Sequence, residues 1–364
     1  MRWTPAQDSP RQPLSSQIKN PFSMNIIRLI IFALAIPVMA LNGADAGFSL
    51  SQAVGVVRAT IAPSKDGKKH AATMWGPALF QNAQLTGKMA GKIASVSSAI
   101  ITVTNAGWTS NQLVGNYLYI QSGSLSGVLL RVVSNTATTL ALDSQTLNLY
   151  GNGLAQEDSF QIIKPYTLSE ILGTPADGVI GGSLQDFQNG KTDRVVIRDE
   201  VAGFLRTYYY DTTINHWRDS LSDSNRNGVV IPPMSGSLYY RISQDTYELS
   251  FTGNVPIHGG RFLMPEGVMS HARFFPIPTT LNNLGLQLLP QWKKSNAASE
   301  TLADRVMVQG ADGVFRAYWH NGTQWVTKGS TTNQNDTPIP EGSSFFTIRP
   351  GKNPPAVFLL PQPY

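Results

Sequence analysis

Residues 193–242 read DRVVIRDEVAGFLRTYYYDTTINHWRDSLSDSNRNGVVIPPMSGSLYYRI, and residues 304–350 read DRVMVQGADGVFRAYWHNGTQWVTKGSTTNQNDTPIPEGSSFFTIRP. Both stretches begin with Asp-Arg-Val, reach a tryptophan after an aromatic strand, and return through Ile-Pro to a strand that ends at arginine. From the tryptophan onward the matches keep one constant spacing: Trp217, Ile231, Pro232, Ser235 and Arg241 match Trp325, Ile339, Pro340, Ser343 and Arg349. So many matches with small gaps predict a duplicated β unit of roughly 100 residues.

The rest of the chain has the pattern of short β-strands. Apolar residues alternate with polar ones, or form short runs that end at Gly, Asn, Ser or Pro, as is typical of strands joined by turns. Between Lys88 and Ile163 six such strands are predicted, enough for a small antiparallel barrel or sandwich. A short helix is predicted at residues 167–172, where Thr167 and Glu170 can form a capping box. The sequence therefore predicts an all-β fold with few short helices.

These patterns divide the chain into five predicted segments. They are residues 1–23, disordered or upstream of the true start; 24–46, a signal peptide; 47–163, an N-terminal β barrel or sandwich domain; 164–260, the first β repeat unit; and 261–364, the second β repeat unit. Each repeat has a similar lead-in, IIKPYTLSEILG before the first and FPIPTTLNNLGL before the second.

The signal peptide is predicted from a three-part layout. Arg28 precedes an apolar run over residues 29–41, and the small residues Ala44 and Ala46 end the segment, so that cleavage is expected after Ala46. A retained membrane anchor is the alternative, but this run contains Pro37 and is shorter than the roughly 20 residues that span a bilayer. We therefore expect an exported protein, in the periplasm, on the outer surface or outside the cell, with no stable membrane span.

Composition and charge exclude several classes of protein. The chain has no cysteine, which excludes disulfide scaffolds, thiolate metal sites and cysteine nucleophiles. After removal of residues 1–46 the formal net charge is only +3, and the one basic cluster, Lys65, Lys68, Lys69 and His70, is typical of a solvated turn. Proteins that bind nucleic acid carry basic residues clustered on one face. We therefore expect no nucleic acid partner.

No catalytic motif is found. The five histidines are His70, His216, His258, His271 and His320, and no two of them have the i, i+4 spacing of a zinc-binding helix. The acids considered as a possible glycosidase pair, without any regular pattern, are Asp199, Glu200, Glu248 and Glu266. A dispersed Ser-His-Asp triad stays open, because geometry rather than spacing defines it. The doublets Asp193-Arg194 and Asp304-Arg305 allow a binding role but favour a structural ion pair.

One motif matches a metal-binding pattern. Asp223, Asn225 and Asn227, followed by Gly228, spell the first half of a calcium loop, in which alternate oxygen ligands face the ion. Met234 occupies the position of the acidic ligand that normally closes the loop. A turn built on asparagine and glycine is therefore the favoured interpretation, with calcium as the alternative and no other cofactor expected.

Four aromatic residues are candidates for stacking on sugar rings. They are Trp217, Trp325, Tyr208 and Tyr318, which lie at matched places in the two repeats. Planar rings cover apolar sugar faces, but aromatic residues that alternate along strands more often pack in a core. Packing is therefore the favoured interpretation, and ligand stacking is the alternative.

Several strings resemble a family of uncharacterised exported β-rich proteins from verrucomicrobial bacteria. The resemblance rests on YLYIQSGSLSGVLLRVVSNTATTLALDS (residues 117–144), EDSFQIIKPYTLSEILG (157–173), RTYYYDTTINHWRDS (206–220), the VIPP segment and SFTGNVP (250–256). Members often have glycine where this chain has Pro233 and Met234, whereas Gly342 is kept in the second repeat. The family has no assigned activity, so the resemblance implies export and a β-rich fold but no catalytic residue.

Taken together, these features predict an exported, non-enzymatic structural or adhesive protein of the bacterial cell envelope or surface. Its partner would be a surface polymer or another envelope protein. The alternative is a secreted protein that binds or cleaves carbohydrate through exposed aromatics. An outer-membrane barrel is disfavoured, because Pro354, Pro355, Pro361 and Pro363 would interrupt its last strand.

Overall fold

The computed structural model describes residues 53–143, 148–199, 204–264, 266–273, 276–296, 302–350 and 356–360. The predicted segment 1–23, the predicted signal peptide 24–46 with its cleavage site, and Glu200 lie outside the described residues. Among the described residues no helix is both long and apolar enough to cross a membrane.

Strands are the main regular structure of the described chain and helices are few and short, which confirms the all-β prediction. The strands of the first half are β1 (Val54–Ile61), β2 (Ala71–Trp75), β3 (Gln81–Asn82), β4 (Ala90–Lys92), β5 (Ser95–Val96), β6 (Ile100–Thr102), β7 (Tyr117–Ile120), β8 (Leu129–Asn135), β9 (Thr139–Asp143), β10 (Ser159–Lys164) and β11 (Tyr166–Thr167). The helices α1 (Leu168–Leu172) and α2 (Leu184–Gln188) follow, with 3-10 turns at Pro175–Asp177 and Leu286–Leu288. The remaining strands are β12 (Arg194–Asp199), β13 (Phe204–Asp211), β14 (His216–Asp219), β15 (Val230–Ile231), β16 (Ser237–Arg241), β17 (Tyr247–Asn254), β18 (Gly260–Met264), β19 (Gly267–Ala272), β20 (Thr279–Thr280), β21 (Arg305–Gln309), β22 (Phe315–His320), β23 (Trp325–Thr327), β24 (Pro338–Ile339), β25 (Ser344–Arg349) and β26 (Ala356–Leu360).

The helix predicted at residues 167–172 forms as α1, and its start is fixed by the acid in its first turn. The backbone N–H of Thr167 donates to Glu170 Oε2 at 2.9 Å, which satisfies a donor at the helix N-terminus. Leu168 and Leu172 are buried in a core that also contains Val195 and Trp217. Gly173 ends the helix with a positive φ of 63°, a conformation that glycine adopts without steric cost.

Two five-stranded antiparallel sheets have the same strand order. The first sheet runs β14-β13-β12-β16-β2, and the second sheet runs β23-β22-β21-β25-β19. The registers also correspond, because Val195 lies opposite Tyr208 in the first sheet and Val306 lies opposite Tyr318 in the second. Each sheet is accompanied by two short ladders, β1-β17 and β11-β15 for the first, β18-β26 and β20-β24 for the second.

The strands β3 to β10, which lie between β2 and β11 in the sequence, form a separate eight-stranded antiparallel sheet. Its path runs β3-β10-β7-β8-β9-β6-β5, with β4 also paired to β10, and these pairings leave it open rather than closed into a barrel. Alternation of apolar and polar residues buries one face, as along β9, where Leu140 and Leu142 point into a core that contains Leu118 and Phe160.

Strand pairing divides the chain differently from the predicted boundaries. Strands β1 and β2, predicted as part of the N-terminal domain 47–163, pair with β17 and β16 of the predicted first repeat. The eight-stranded sheet therefore interrupts the first unit between its second and third strands. A pairing between residues this far apart in sequence leaves no local pattern, which is why the boundary at residue 164 does not follow the sheets.

The two sheets meet through reciprocal contacts. The backbone N–H of Gly76 donates to Gly342 O at 3.3 Å, and the N–H of Ala272 donates to Met234 O at 2.8 Å. Gly76 follows the edge strand β2, and Ala272 is the last residue of the matched edge strand β19. A Cβ on Gly76 would lie 2.5 Å from the Cβ of Ala272. Glycine is therefore required here so that the two edges can approach each other.

Candidate functional site

The two matched tryptophans are buried side chains. Trp217 and Trp325 are both 0% exposed. The backbone N–H of Trp217 donates to Asn227 Oδ1 at 2.9 Å, and that of Trp325 donates to Asn335 Oδ1 at 2.9 Å. Trp217 Nε1 also donates to Gly173 O at 2.8 Å. Neither ring has a face open to a sugar, and the positions are those of packing residues.

The two tyrosines named with these tryptophans as stacking candidates are also buried. Tyr208 and Tyr318 are 2% and 5% exposed. Burial raises the pKa of Tyr208 to about 12, with a further contribution from the Asp199 carboxylate. The four aromatics named as stacking candidates therefore belong to the cores of the two sheets, so the alternative of sugar binding through them loses its support.

The calcium-loop residues form a turn rather than a converging set of ligands. Asn225 Oδ1 accepts the backbone N–H of Asn227 at 2.8 Å, and Asn227 Oδ1 accepts the N–H of Trp217. The Asp223 carboxylate, which is largely exposed, pairs with Arg218. Each of the three side chains is thus bound to a protein donor through one of its oxygens. Within the described residues no group of three or more His, Asp or Glu side chains could hold a metal.

The Asp-Arg doublets contribute to buried ion pairs, but the partner is a more distant arginine. Asp193 Oδ2 lies 2.8 Å from Arg241 Nη1, and Asp304 Oδ2 lies 3.4 Å from Arg349 Nε. All four side chains are 3% exposed or less. The aspartate that opens each matched stretch therefore pairs with the arginine that closes it, and the duplicated pattern was the sequence signal for this pairing.

Asp193 has a larger set of donors than Asp304. It also accepts the backbone N–H groups of Ile180 at 3.0 Å and Ile242 at 2.9 Å and the hydroxyl of Tyr239 at 2.8 Å. Burial, followed by the charge of Asp193, raises the pKa of Tyr239 well above its usual value, so the hydroxyl remains a donor. Asp304 Oδ2 accepts one backbone N–H, from Lys293 at 2.9 Å.

The five histidines are dispersed. His70 Nε2 contacts Thr192 O at 2.8 Å, and His216 Nε2 contacts Asp223 O at 3.0 Å. His271 is buried beside Thr347 at 2.9 Å, and burial lowers its pKa to about 3, so it is neutral at physiological pH. Burial also lowers the pKa values of His258 and His320. The bonds of His70 and His216 to backbone carbonyls and of His271 to a threonine hydroxyl differ from the acid–histidine–nucleophile chain of a triad.

The three candidate acids that lie in the described residues have separate surroundings. Asp199 forms an ion pair with Arg206 at 2.9 Å, and Glu248 lies 3.8 Å from Arg58 across the β1-β17 ladder. Glu266 is exposed at the start of β19. These acids lie on separate elements, as surface or paired carboxylates do, and not as the two carboxyl groups of a glycosidase.

The predicted basic turn borders a cleft of about 860 Å³ between β1, β2 and the turn 309–314. Asp66 Oδ1 accepts the N–H groups of Lys68 at 2.8 Å and Lys69 at 2.9 Å, which lowers the pKa of Asp66 and fixes the turn. On the opposite side Gln309 closes the edge of β2, because its amide bonds Ala72 O at 2.6 Å and Met74 N at 3.0 Å. Residues of both five-stranded sheets line this cleft.

An ion-pair network on the outer strands of the first sheet was not anticipated from the sequence. Arg218 bonds Asp211 at 3.2 Å, and Asp219 pairs with Arg206 at 3.4 Å and with Arg226 at 3.2 Å. Asp211 and Asp219 are nearly inaccessible. The charges neutralise one another, so the network holds β13, β14 and the turn after them together.

Comparison with known proteins gives no relative for this arrangement. No protein-family model matches the chain, and neither the curated proteins nor the solved structures contain a significant match.

Proposed function

We propose that the chain is an exported, non-enzymatic structural or adhesive protein of the bacterial cell envelope or surface. One observation carries the proposal. The side chains most suited to bind or react with a ligand are buried or hydrogen-bonded within the protein, at matched places in the two sheets. The tryptophans are buried, their asparagines cap backbone donors, and the aspartates pair with buried arginines. Such commitments favour a scaffold over a catalyst.

The proposal includes a duplication. The matched residues, the shared strand order and the reciprocal contacts at Gly76 and Ala272 support descent of both sheets from one unit. The eight-stranded sheet is then an insertion into the first copy. Surface scaffolds commonly carry function on loops and inserted elements held by a rigid framework, so this insertion is the favoured region for contact with a surface polymer or an envelope protein.

Export is tested by fractionation of the producing cell and N-terminal sequencing of the isolated protein. We expect the protein in the envelope or outside the cell, with a mature chain that begins at Gly47. A chain that begins at Met1 or Met24 and stays in the cytoplasm or inner membrane would overturn the proposed address.

The absence of catalysis is tested with a broad panel of esters, peptides and glycans. We expect no turnover above background with the purified protein. A turnover that a single substitution abolishes, without loss of folding, would overturn the non-enzymatic assignment.

A further inference from the structure

A second cleft, of about 750 Å³, lies where the eight-stranded sheet meets the β1-β17 ladder. Its polar lining is dominated by side-chain amides contributed by three separate parts of the chain. The six amide side chains are Gln81, Asn82, Gln84, Gln112, Asn116 and Asn254. We refer to this site as the amide cleft.

Two of these amides are buried and have unused hydrogen-bonding capacity. Asn254 is 6% exposed, and no described residue hydrogen-bonds its side chain. Asn116 is 9% exposed and donates from Nδ2 to Leu113 O at 3.2 Å, while its Oδ1 has no protein donor. Neither residue has an atom among the buried side-chain atoms that are closed off from solvent without a partner, so the unpaired amide groups open into the cleft. Their place on the cleft wall is suited to a ligand that both donates and accepts hydrogen bonds.

The charge of the amide cleft favours a neutral ligand. Lys164 is the charged side chain among the described lining residues, and it forms an ion pair with Glu170. That pairing, together with the Thr167 N–H, lowers the pKa of Glu170 against the effect of burial, so the lysine charge is compensated. An anionic ligand would thus find no unpaired cation, and no carboxylate lines the described wall to recognise a cationic one.

The backbone at the base of the cleft is already paired, which disfavours an added peptide strand. Residues Phe80 and Asn254 exchange two hydrogen bonds of 3.0 and 2.7 Å, and β3 pairs with β10. Strand addition requires a free row of backbone donors and acceptors. Some of the amides are also paired, because Gln112 bonds Thr86 through both its oxygen and its nitrogen, and Asn82 Oδ1 accepts from Gln161. The groups that remain available are the amides of Gln81, Gln84 and Asn254 and the oxygen of Asn116, and an amide presents an acceptor and two donors close together.

We propose that the amide cleft binds a neutral oligosaccharide. Adjacent sugar hydroxyls both donate and accept, which matches the amide groups, and two exposed apolar side chains, Val54 and Leu85, can cover the C–H face of a ring. The proposal rests on the proposed function, because a surface protein that holds a glycan without a pair of carboxylates retains the glycan uncut. It assigns the adhesive role to the junction of the inserted sheet and the first unit.

The test is binding of the full-length protein to immobilised neutral glycans, namely glucans, mannans, galactans and xylans, with a polyuronate and an extended peptide library as comparison probes. Asn254→Ala is expected to weaken glycan binding about tenfold or more, as the loss of a well-placed hydrogen bond does. Gln84→Ala, at an exposed position where folding is not at risk, is expected to weaken binding several-fold without a change in melting temperature. Gln156→Ala removes an exposed amide in the turn before β10, outside the cleft, and is expected to bind like the parent.

The outcomes separate this proposal from the proposed function. Binding of no neutral glycan, equal binding by parent and Gln84→Ala protein, or preference for the polyuronate or the peptides would overturn the amide cleft as a glycan site and leave export untouched. Release of cleaved sugar would instead overturn the non-enzymatic assignment while glycan binding itself stood.

Discussion

The first and second sheets share a topology but differ in the chemistry of their outer strands. In the first sheet Arg218 joins an ion-pair network and lies 5.8 Å from the ring centre of Tyr209. At the matched place in the second sheet Val326 packs with Trp319 and Ala303 in a small apolar cluster. A buried ion pair and an apolar contact of similar volume can have similar net stability. The outer strands can therefore be stabilised either by buried ion pairs or by apolar packing.

What the two sheets keep in common is a smaller set of residues. Both retain the buried tryptophan, the asparagine that accepts its backbone N–H, and the aspartate and arginine that pair beneath the sheet. The asparagine, aspartate and arginine bond backbone or charged groups that have no access to water, so replacing any of them by an apolar residue leaves a buried group without its partner. The comparison indicates that this set, rather than the outer strands, maintains the shared topology.

The largest expected effect is removal of either tryptophan. Trp217→Ala and Trp325→Ala should each lower the free energy of unfolding by roughly 3 to 5 kcal/mol, because each removes a fully buried large aromatic. Urea titration monitored by circular dichroism measures the change. Leu221→Ala, at an 83% exposed position, is the control and should have little effect. Changes near zero in both tryptophan variants would contradict the assignment of these rings as core.

The buried ion pairs should differ in their response to loss of the arginine. Arg349→Ala leaves Asp304 with a single backbone donor, and we expect a loss of about 3 kcal/mol. Arg241→Ala should cost less, because Asp193 keeps two backbone donors and the Tyr239 hydroxyl.

The same urea titrations measure this difference between the two arginine variants. Arg316→Ala breaks the exposed pair with Asp312, which is screened by solvent, and should change stability little. A greater loss from Arg241→Ala than from Arg349→Ala would show that the remaining donors of Asp193 do not compensate for the missing charge.

Local patterns were enough to predict the strands, the capping box and the matched tryptophans. Alternation along β9 and the Thr167–Glu170 spacing are properties of a few consecutive residues. The duplication also showed that Asp193 and Arg241 recur as Asp304 and Arg349, the residues that form the buried ion pairs. The pairing of β2 with β16 was not predictable, because the inserted sheet separates the two strands in sequence.

The amide cleft also escaped the sequence analysis. Its walls come from segments around residues 81, 112, 164 and 254, and isolated asparagines and glutamines carry no motif. Only the fold brings them to one place. The calcium motif shows the opposite case, because a recognisable spacing was present but its oxygens serve backbone donors.

A third prediction concerns a matched position at which the sheets differ in titratable chemistry. His271 in β19 corresponds to Trp75 in β2, since they lie opposite the matched residues Phe345 and Ser237. The pKa of His271 is about 3 in the folded protein and 6.5 in the reference state, with burial as the main cause and the Arg198 charge as the second. The unfolded chain thus binds more protons between these values, so stability is fully present above pH 6.5 and is lost as the pH falls towards 3.

At pH 5 this residue should lower the free energy of unfolding by about 2 kcal/mol relative to pH 7.5. His271→Gln keeps a polar group beside Thr347 but does not titrate, so its stability should fall less over the same range. Urea titrations at both pH values give the difference between variant and parent, which removes the contributions of His258 and His320. Parallel pH profiles would show that His271 becomes protonated without unfolding.

The smallest expected effect separates the two tryptophans by a single hydrogen bond. Trp217 Nε1 donates to Gly173 O at the end of α1, whereas no described residue accepts from Trp325 Nε1. Replacement by phenylalanine keeps most of the apolar volume in both sheets. Trp217→Phe also leaves the Gly173 carbonyl without its donor, while Trp325→Phe removes a buried donor that has no acceptor, so the first variant should lose about 1 kcal/mol more than the second.

This difference is measured as the change in the urea midpoint at constant m-value. Gly173 has a positive φ and follows directly after α1, so loss of the bond should also increase amide exchange in residues 168–172 of the Trp217→Phe protein. The Trp325→Phe protein serves as the matched control, because the segment at the corresponding place, Leu281–Leu284, receives no hydrogen bond from its tryptophan ring. Equal midpoints with unchanged exchange in α1 would mean that the bond to Gly173 adds nothing, and the two tryptophans would then be equivalent in energy as well as in position.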